Sequence, residues 1–219
     1  SWRYVVSVSY EAFFPEVLPH FPSIPEIVVV NAIRNACIEF CEKTLYLQVD
    51  LDPISSIAGE AVYDLETDGT YVIAEIMEAW YGDQFLVPRA VETLTQIYRT
   101  TDWRTLDGNP YYFYRNTSQQ ITVVPAPKLA ESSKLKILAA IKPTRTSTGV
   151  DSDIYETFLE YVALGAKARL ANTPNQPYYD AQSGAEYLKR FRDAITEVRT
   201  RVNKGMVRAS AQVEFQRFV

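Results

Sequence analysis

The chain has 219 residues, of which 47% are hydrophobic and 22% charged, a composition typical of globular proteins rather than disordered ones. The formal net charge of −5 argues against a protein that clamps DNA or RNA regardless of sequence. No run of about 18 apolar residues occurs, so we expect no membrane span.

The first 45 residues predict an arm followed by a helix. Residues 1–22 are rich in aromatic residues and proline, which favours an irregular arm with a short helical turn. Ser23 and Glu26 have the spacing of a capping box, and apolar residues then recur at helical intervals, predicting a helix from about 24 to 45. Cys37 and Cys41 lie in this pattern and are interpreted as core residues. A metal site would need further ligands, and His20 is the single histidine of the chain, so we expect no metal and no cofactor.

Residues 46–150 change to the period of short strands. Turn signals separate the segments AVYDLE, YVIAEIMEAWY, QFLVP, PYYFYRN, ITVVP and KLKILAAIKP, with one short helix predicted near residues 89–98. Short strands with short links predict an antiparallel sheet or a small barrel. This stretch carries 9 basic and 13 acidic side chains, a net charge of −4.

The helical period returns at Asp151. Residues 151–153 offer N-caps for a helix that ends before NTPNQP, and Gly165 and its small neighbours would let another helix approach closely. A last helix is predicted from about 179 to 204, closed by Gly205, with one apolar stripe: Ala181, Ala185, Leu188, Phe191, Ile195, Val198 and Val202.

The fold class that follows is α+β. We expect a discontinuous helical bundle core made of residues 1–45 and 151–205, which is the N-terminal helix plus two C-terminal helices. An antiparallel β-rich module, residues 46–150, is inserted between them.

Residues 206–219 predict an extended C-terminal arm. The segment ASAQVEFQRFV alternates Val213 and Phe215 with polar residues, as a half-buried strand does. We interpret it as a docking arm that another chain covers, although the same residues would also suit a segment folded back over the subunit's own helices. The arm residues are Arg208, Val213, Phe215, Arg217, Phe218 and Val219.

The patterns of several enzyme classes are missing from the sequence. It has no phosphate loop and no dinucleotide fingerprint, and His20, in the segment PHFP, is not placed like a catalytic base. Pairs of carboxylates such as Asp50 with Asp52 are expected by chance among 27 acidic residues. We therefore expect a protein that is not an enzyme.

Three stretches in order resemble the head–tail adaptor proteins of tailed bacteriophages, over roughly residues 13–200. They are FFPEVLPHFPSIPEIVVVNAIRNACIEFCEKT, then DWRTLDGNPYYFYR with ITVVPAPKLAESSKLKILAAIKPTR, and last LEYVALGAKARLANTPNQPYYDAQSGAEYLKRFRDAI. Each motif is weak alone, and the ordered set is more specific.

The resemblance implies a structural virion protein of the neck, assembled in the host cytoplasm. Such adaptors form a ring, typically of twelve subunits, beneath the portal protein. The ring extends the channel for genomic DNA without specific binding and offers a surface to a tail or nozzle protein. The C-terminal arm would then dock on the portal, and exposed aromatics of the β-rich module would form a tail-side or subunit interface: Trp80, Tyr81, Trp103, Tyr111 and Tyr112.

Two alternatives remain open at this point. One is another neck or tail-tube component, such as a stopper or tail-completion protein. The other is a binding module in which Trp80, Tyr81, Trp103 and Tyr111–Tyr114 form a surface for carbohydrate or peptide.

Overall fold

The computed structural model describes residues 7–205, which confirm the predicted α+β class. Within these residues the helices are α1 Phe14–Val17, α2 Glu26–Thr44, α3 Val91–Tyr98, α4 Ser152–Ala171 and α5 Ala181–Asn203. The strands are β1 Ser7–Ser9, β2 Gln48–Asp50, β3 Val62–Asp64, β4 Tyr71–Tyr81, β5 Gln84–Phe85, β6 Val87–Pro88, β7 Asp107–Gly108, β8 Tyr112–Tyr114, β9 Gln120–Val124, β10 Ala126–Pro127, β11 Leu135–Pro143 and β12 Gly149–Asp151. Short 3-10 turns occupy Tyr10–Phe13, Leu18–His20 and Thr101–Thr105.

The long helices α2, α4 and α5 pack together, and the N-terminal segment completes their core. Tyr10, Phe13 and Val17 are fully buried in the same apolar cluster as the facing sides of these helices. β1 pairs antiparallel with β12, with Ser7 opposite Asp151, so the start of the described chain is tied to the start of α4. Residues 7–21 therefore pack into the core that the helices form, mostly as short helical turns.

The beginning of α2 differs from the prediction. A capping box needs Ser23 as the N-cap and Glu26 as the third helical residue. Instead Pro25 is the N-cap, with no side-chain capping bond, and Glu26 is the first helical residue. Ser23 has a φ of 71°, which places it in a turn before the helix. The capping-box prediction is wrong because Pro25, with its extended backbone, fixes the helix start two residues later.

The other two long helices follow the predicted boundaries closely. The Asp151 side chain caps α4 by accepting from the Asp153 amide at 2.7 Å, which confirms the predicted N-cap region. In α5, the stripe from Leu188 to Val202 faces the core, but Ala181 and Ala185 are exposed. Gly184 is the buried residue of that first turn because it lies against Asn172, so the predicted stripe is wrong there.

Two four-stranded sheets form the β-rich part. One has the order β2-β11-β4-β5 and the other β3-β9-β8-β6. Most pairs are antiparallel, whereas β6 with β8 and β7 with β10 are parallel. Buried side chains from both sheets share one apolar cluster, which is separate from the helical cluster. The sheets therefore pack face to face, and the division of the chain into domains stays a prediction.

The helical and β-rich parts meet where α2 lies against β11. An ion pair joins them at this contact, with 3.1 Å between Lys142 Nζ and Glu42 Oε1. None of the helices within residues 7–205 combines the length and the apolar character that crossing a membrane requires.

Candidate interaction surfaces

The structure separates the five predicted interface aromatics into two groups. Trp80 and Tyr111 are 37% and 47% exposed, and Tyr112 is half-buried. Tyr81 and Trp103 are buried inside the subunit. Trp80 and Tyr111 are therefore the members of the set whose rings are most exposed at the surface of the subunit.

Trp80 lies on the hairpin that joins β4 to β5. Its ring meets the exposed Phe85 ring edge to face, with 5.1 Å between centroids. Its indole nitrogen donates a hydrogen bond to Glu78 Oε2 at 3.2 Å. Gly82, with a φ of 59°, supplies the left-handed turn that this tight hairpin needs.

Tyr111 lies beside this hairpin, since the chain from β5 to β6 crosses from one sheet to the other. The Leu86 amide donates to the Ala79 carbonyl, and the Val87 amide donates to the Tyr111 carbonyl, both at 2.9 Å. Two consecutive residues thus connect the backbone next to Trp80 with that of Tyr111. We call the exposed side chains Trp80, Phe85 and Tyr111 the aromatic edge.

Trp103 has a structural position instead. It belongs to a small buried cluster with Leu94 and Val124, and its Nε1 donates to Thr95 Oγ1 at 3.1 Å. Its ring also meets Tyr114 edge to face. Trp103 therefore anchors α3 to the β3-β9-β8-β6 sheet, and it does not join Trp80 in one continuous surface for carbohydrate.

Two exposed aliphatic side chains were missed by the sequence analysis. Ile57 is 60% exposed and Leu129 is 66% exposed, and they lie on two loops that are hydrogen-bonded to each other. We call this pair the loop knob. The signal in the sequence is a single large aliphatic residue within each of two turn-rich segments, SSIAGE and PAPKLAESS.

A buried polar network fixes the loop knob. The Ser56 amide donates to the Glu131 carbonyl at 2.8 Å, and the Glu131 amide donates back to Ser56 Oγ at 3.0 Å. Tyr81 Oη lies 2.9 Å from Ser56 Oγ and donates to Glu131 Oε2 at 3.1 Å. Burial of Ser56 and Tyr81 in this network explains why Tyr81 is not at the surface.

An open cleft of about 550 Å³ lies on another side of the two sheets. Met77, Pro88, Ala90, Val91 and Phe113 supply apolar walls, and Arg115 supplies a charged one. Burial lowers the pKa of the Arg115 guanidinium, which the nearby Glu75 carboxylate opposes. The cleft is suited to apolar groups, and charged side chains of both signs line it, Glu75, Arg89 and Arg115.

Exposed basic side chains follow the outer face of α5, including Lys189, Arg190 and Arg192. Among residues 7–205, no three His, Cys, Asp or Glu side chains are grouped so that they could hold a metal ion. The predicted arm residues, Arg208, Val213, Phe215, Arg217, Phe218 and Val219, lie outside the described residues.

Comparison with models of protein families gives a match that covers most of the chain. A family model described as SU10 adaptor protein matches residues 13–213. The comparison with curated proteins gives no match. The family match runs through the helical core and both sheets alike.

Proposed function

Because this chain belongs to the family of SU10 adaptor proteins, the head–tail adaptors of tailed phages, we propose that it is a ring subunit of the virion neck. The ring lies beneath the portal, continues the DNA channel and gives a tail or nozzle protein its attachment surface. The observation that carries this proposal is the extent of the match, residues 13–213, which includes every long helix and both sheets.

The surfaces of the subunit support a role in assembly rather than catalysis. A ring subunit repeats the same heterologous contact around a closed axis, so it needs apolar surface on two different sides. The aromatic edge and the loop knob supply exposed apolar side chains on the β-rich part. Contiguous exposed apolar surface is what marks an interaction site, and in the aromatic edge the Trp80 and Phe85 rings are in contact.

The charge of the chain suits passage of DNA without binding. A protein that grips the phosphate backbone does so with clustered Lys and Arg, and this chain carries a net charge of −5. The basic face of α5 is its main exception, and we assign that face to protein partners rather than to DNA. Twelve subunits, as is typical of such adaptors, would enclose the channel.

The segment after Gly205 is the part of the chain that we assign to portal binding. Since α5 ends at Asn203, the helical core is complete before the predicted arm at 206–219 begins. Val213, Phe215, Phe218 and Val219 would then dock on the portal, and Arg208 and Arg217 would meet acidic groups there.

Assembly with the portal tests the proposal. The isolated chain is expected to be a monomer by light scattering and to form a ring when the cognate portal is added, visible in images of the complex. Deleting residues 206–219 is expected to leave the circular dichroism and unfolding of the subunit unchanged and to abolish attachment to the portal.

The outcomes separate the alternatives. Normal docking of the truncated chain contradicts the role of the arm. A stable ring without portal contradicts assembly on the portal. Binding to isolated tails but not to portals identifies a stopper or tail-completion protein instead.

A further inference from the structure

We propose that neighbouring copies of this chain join by insertion of the loop knob of one copy, Ile57 and Leu129, into the 550 Å³ cleft of the next. This inference rests on the proposed ring and names the two surfaces that form its repeated contact. The occupant of the cleft is therefore a second copy of this chain.

The two surfaces lie at opposite edges of the packed sheets. Ile57 of the loop knob comes shortly before β3, which is an edge strand of one sheet. Ile54, in the same loop, pairs with Leu135 on the side of β11 where β2 is the edge strand of the other sheet. The cleft is lined by β6, the edge strand opposite β3, and by residues 75–77 of β4, which lie beyond the reach of β5 because β5 pairs only with Trp80 and Tyr81. A knob and a cleft on opposite edges give a head-to-tail contact, which is the kind that generates rings.

The loop knob is held in place before any partner arrives. The loop around Ile57 is bonded at both ends, through the Ser56 amide to Glu131 and through the Gly59 amide to the Pro127 carbonyl at 2.8 Å. The Ile57 amide also donates to Tyr63 Oη at 3.3 Å. A contact made by a fixed loop avoids the entropy cost of ordering that loop on binding.

The cleft fits such a knob in size and in chemistry. Clefts that bury small apolar groups have volumes of roughly 300–1,000 Å³, so the cleft has room for two aliphatic side chains. Its walls include Met77, Val91 and Phe113.

The charges at the two surfaces are also compatible. Each surface carries both signs: Glu60 and Lys128 are exposed beside the loop knob, and Arg89, Arg115 and Glu75 line the cleft, so each charge has an opposite charge to meet across the contact. Opposite charges at the margin of an apolar contact set its register more than its strength.

A cysteine pair tests the contact directly. In one chain, Leu129→Cys places a thiol on the loop knob and Ala90→Cys places a second thiol in the cleft. The native Cys37 and Cys41 are free but buried, so they are not available for cross-links. After assembly on the cognate portal and mild oxidation, a non-reducing gel is expected to show a ladder of covalent dimers, trimers and larger products. The matched control pairs Ala90→Cys with Ile27→Cys, since Ile27 is 65% exposed on the helical part, and it is expected to give no ladder.

Images of the same samples distinguish a failure of this contact from a failure of the proposed ring. A ring with a ladder supports the contact. A ring with no ladder overturns this contact and leaves the proposed function standing. Absence of a ring on the portal overturns both.

A second variant pair tests the energetic role of the loop knob. Ile57→Ser with Leu129→Ser is expected to lower the yield of rings at least tenfold, because it removes the apolar side chains that fill the cleft and adds no charge that Arg89 or Arg115 could attract. Ile27→Ser is the control and is expected to assemble normally. Normal assembly of the double variant overturns the inference.

Discussion

The ring of Phe191 on α5 occupies the space that a side chain at Gly165 on α4 would need. A Cβ built on Gly165 would lie 2.8 Å from two ring carbons of Phe191. Phe191 is fully buried, and the Arg169 guanidinium, one turn along α4 from Gly165, lies 5.8 Å from the ring centroid. The spacing of α4 and α5 is therefore set by the absence of a side chain at one position.

Gly165→Ala is accordingly expected to destabilise the subunit. Overpacking of a core costs about 1–3 kcal/mol, while replacing a mid-helix Gly by Ala returns about 1 kcal/mol of helix propensity. A net loss of about 1 kcal/mol in the free energy of unfolding should appear in denaturant titrations. Phe191→Leu should make the Gly165→Ala change less costly, because a smaller side chain frees the space, and a wild-type or higher stability of Gly165→Ala alone would contradict the packing account.

This contact also shows what the sequence could predict. The run of small residues around Gly165 indicated a close helix neighbour, and the apolar period of α5 placed Phe191 on its inner face. Their meeting depends on the crossing of two helices, which periodicity does not contain. The capping box predicted at Ser23 was wrong because two signals for a helix start overlap there. Ser23 indicates a start two residues before the one that Pro25 sets in the structure.

The interface residues were harder to predict than the helices. Aromatic residues in strands suit both a core and a partner surface, and the sequence did not distinguish exposed Trp80 from its buried neighbour Tyr81. Because neighbouring residues of a strand lie on opposite faces of the sheet, Trp80 and Tyr81 are expected to differ in burial. Which of the two faces the core depends on where the second sheet packs. The loop knob depends on hydrogen bonds between residues 75 positions apart, Ser56 and Glu131, which no local pattern reveals.

Ser56→Ala should loosen the loop knob without changing its apolar side chains. Ser56 Oγ accepts from the Glu131 amide, which would lose this partner in a partly buried site, whereas Tyr81 Oη keeps its hydrogen bond to Glu131 Oε2. Leaving buried polar groups unsatisfied costs about 1–3 kcal/mol, measurable by denaturant unfolding. Hydrogen exchange at the Glu131 amide should also become faster, because this amide loses its acceptor.

Ser55→Ala is the matched control for that variant. Ser55 Oγ also accepts a backbone hydrogen bond across the two loops, from the Ser133 amide at 3.1 Å, but Ser55 is exposed and water replaces it. Equal losses of stability in the two variants would contradict the importance of the buried network.

Alkaline pH is expected to destabilise the helical core. The ordinary pKa of a cysteine thiol is 9.0, and burial raises the pKa of Cys41 to about 12. Burial, together with the neighbouring Cys41, also raises the pKa of Cys37 well above that value. Burial also raises the pKa of Tyr10 above its ordinary value of 10.0. Since the folded state favours the protonated forms, their contribution is complete below pH 9 and is lost as the pH rises from 9 towards 12.

Thermal unfolding measured between pH 7 and pH 11 checks this expectation. The Tm should be nearly constant up to about pH 7.5, where few thiols ionise even when unfolded, and should fall above pH 9. In the Cys37→Ala/Cys41→Ala double variant the fall should begin about one pH unit higher, where tyrosine ionises. An unchanged onset in the double variant would show that the thiols do not cause it.

The aromatic edge should carry attachment to the tail. Trp80→Ala and Tyr111→Ala remove exposed rings from a supported surface, and aromatic side chains dominate the binding energy of many interfaces. We expect each variant to bind tails at least tenfold more weakly, a change of about 1.4 kcal/mol, with portal binding unchanged, in pull-down titrations on assembled rings. Tyr179→Ala is the control, because Tyr179 is 50% exposed between α4 and α5 and away from the sheets. Loss of portal binding with tail binding spared would reverse the orientation, placing the β-rich part against the portal.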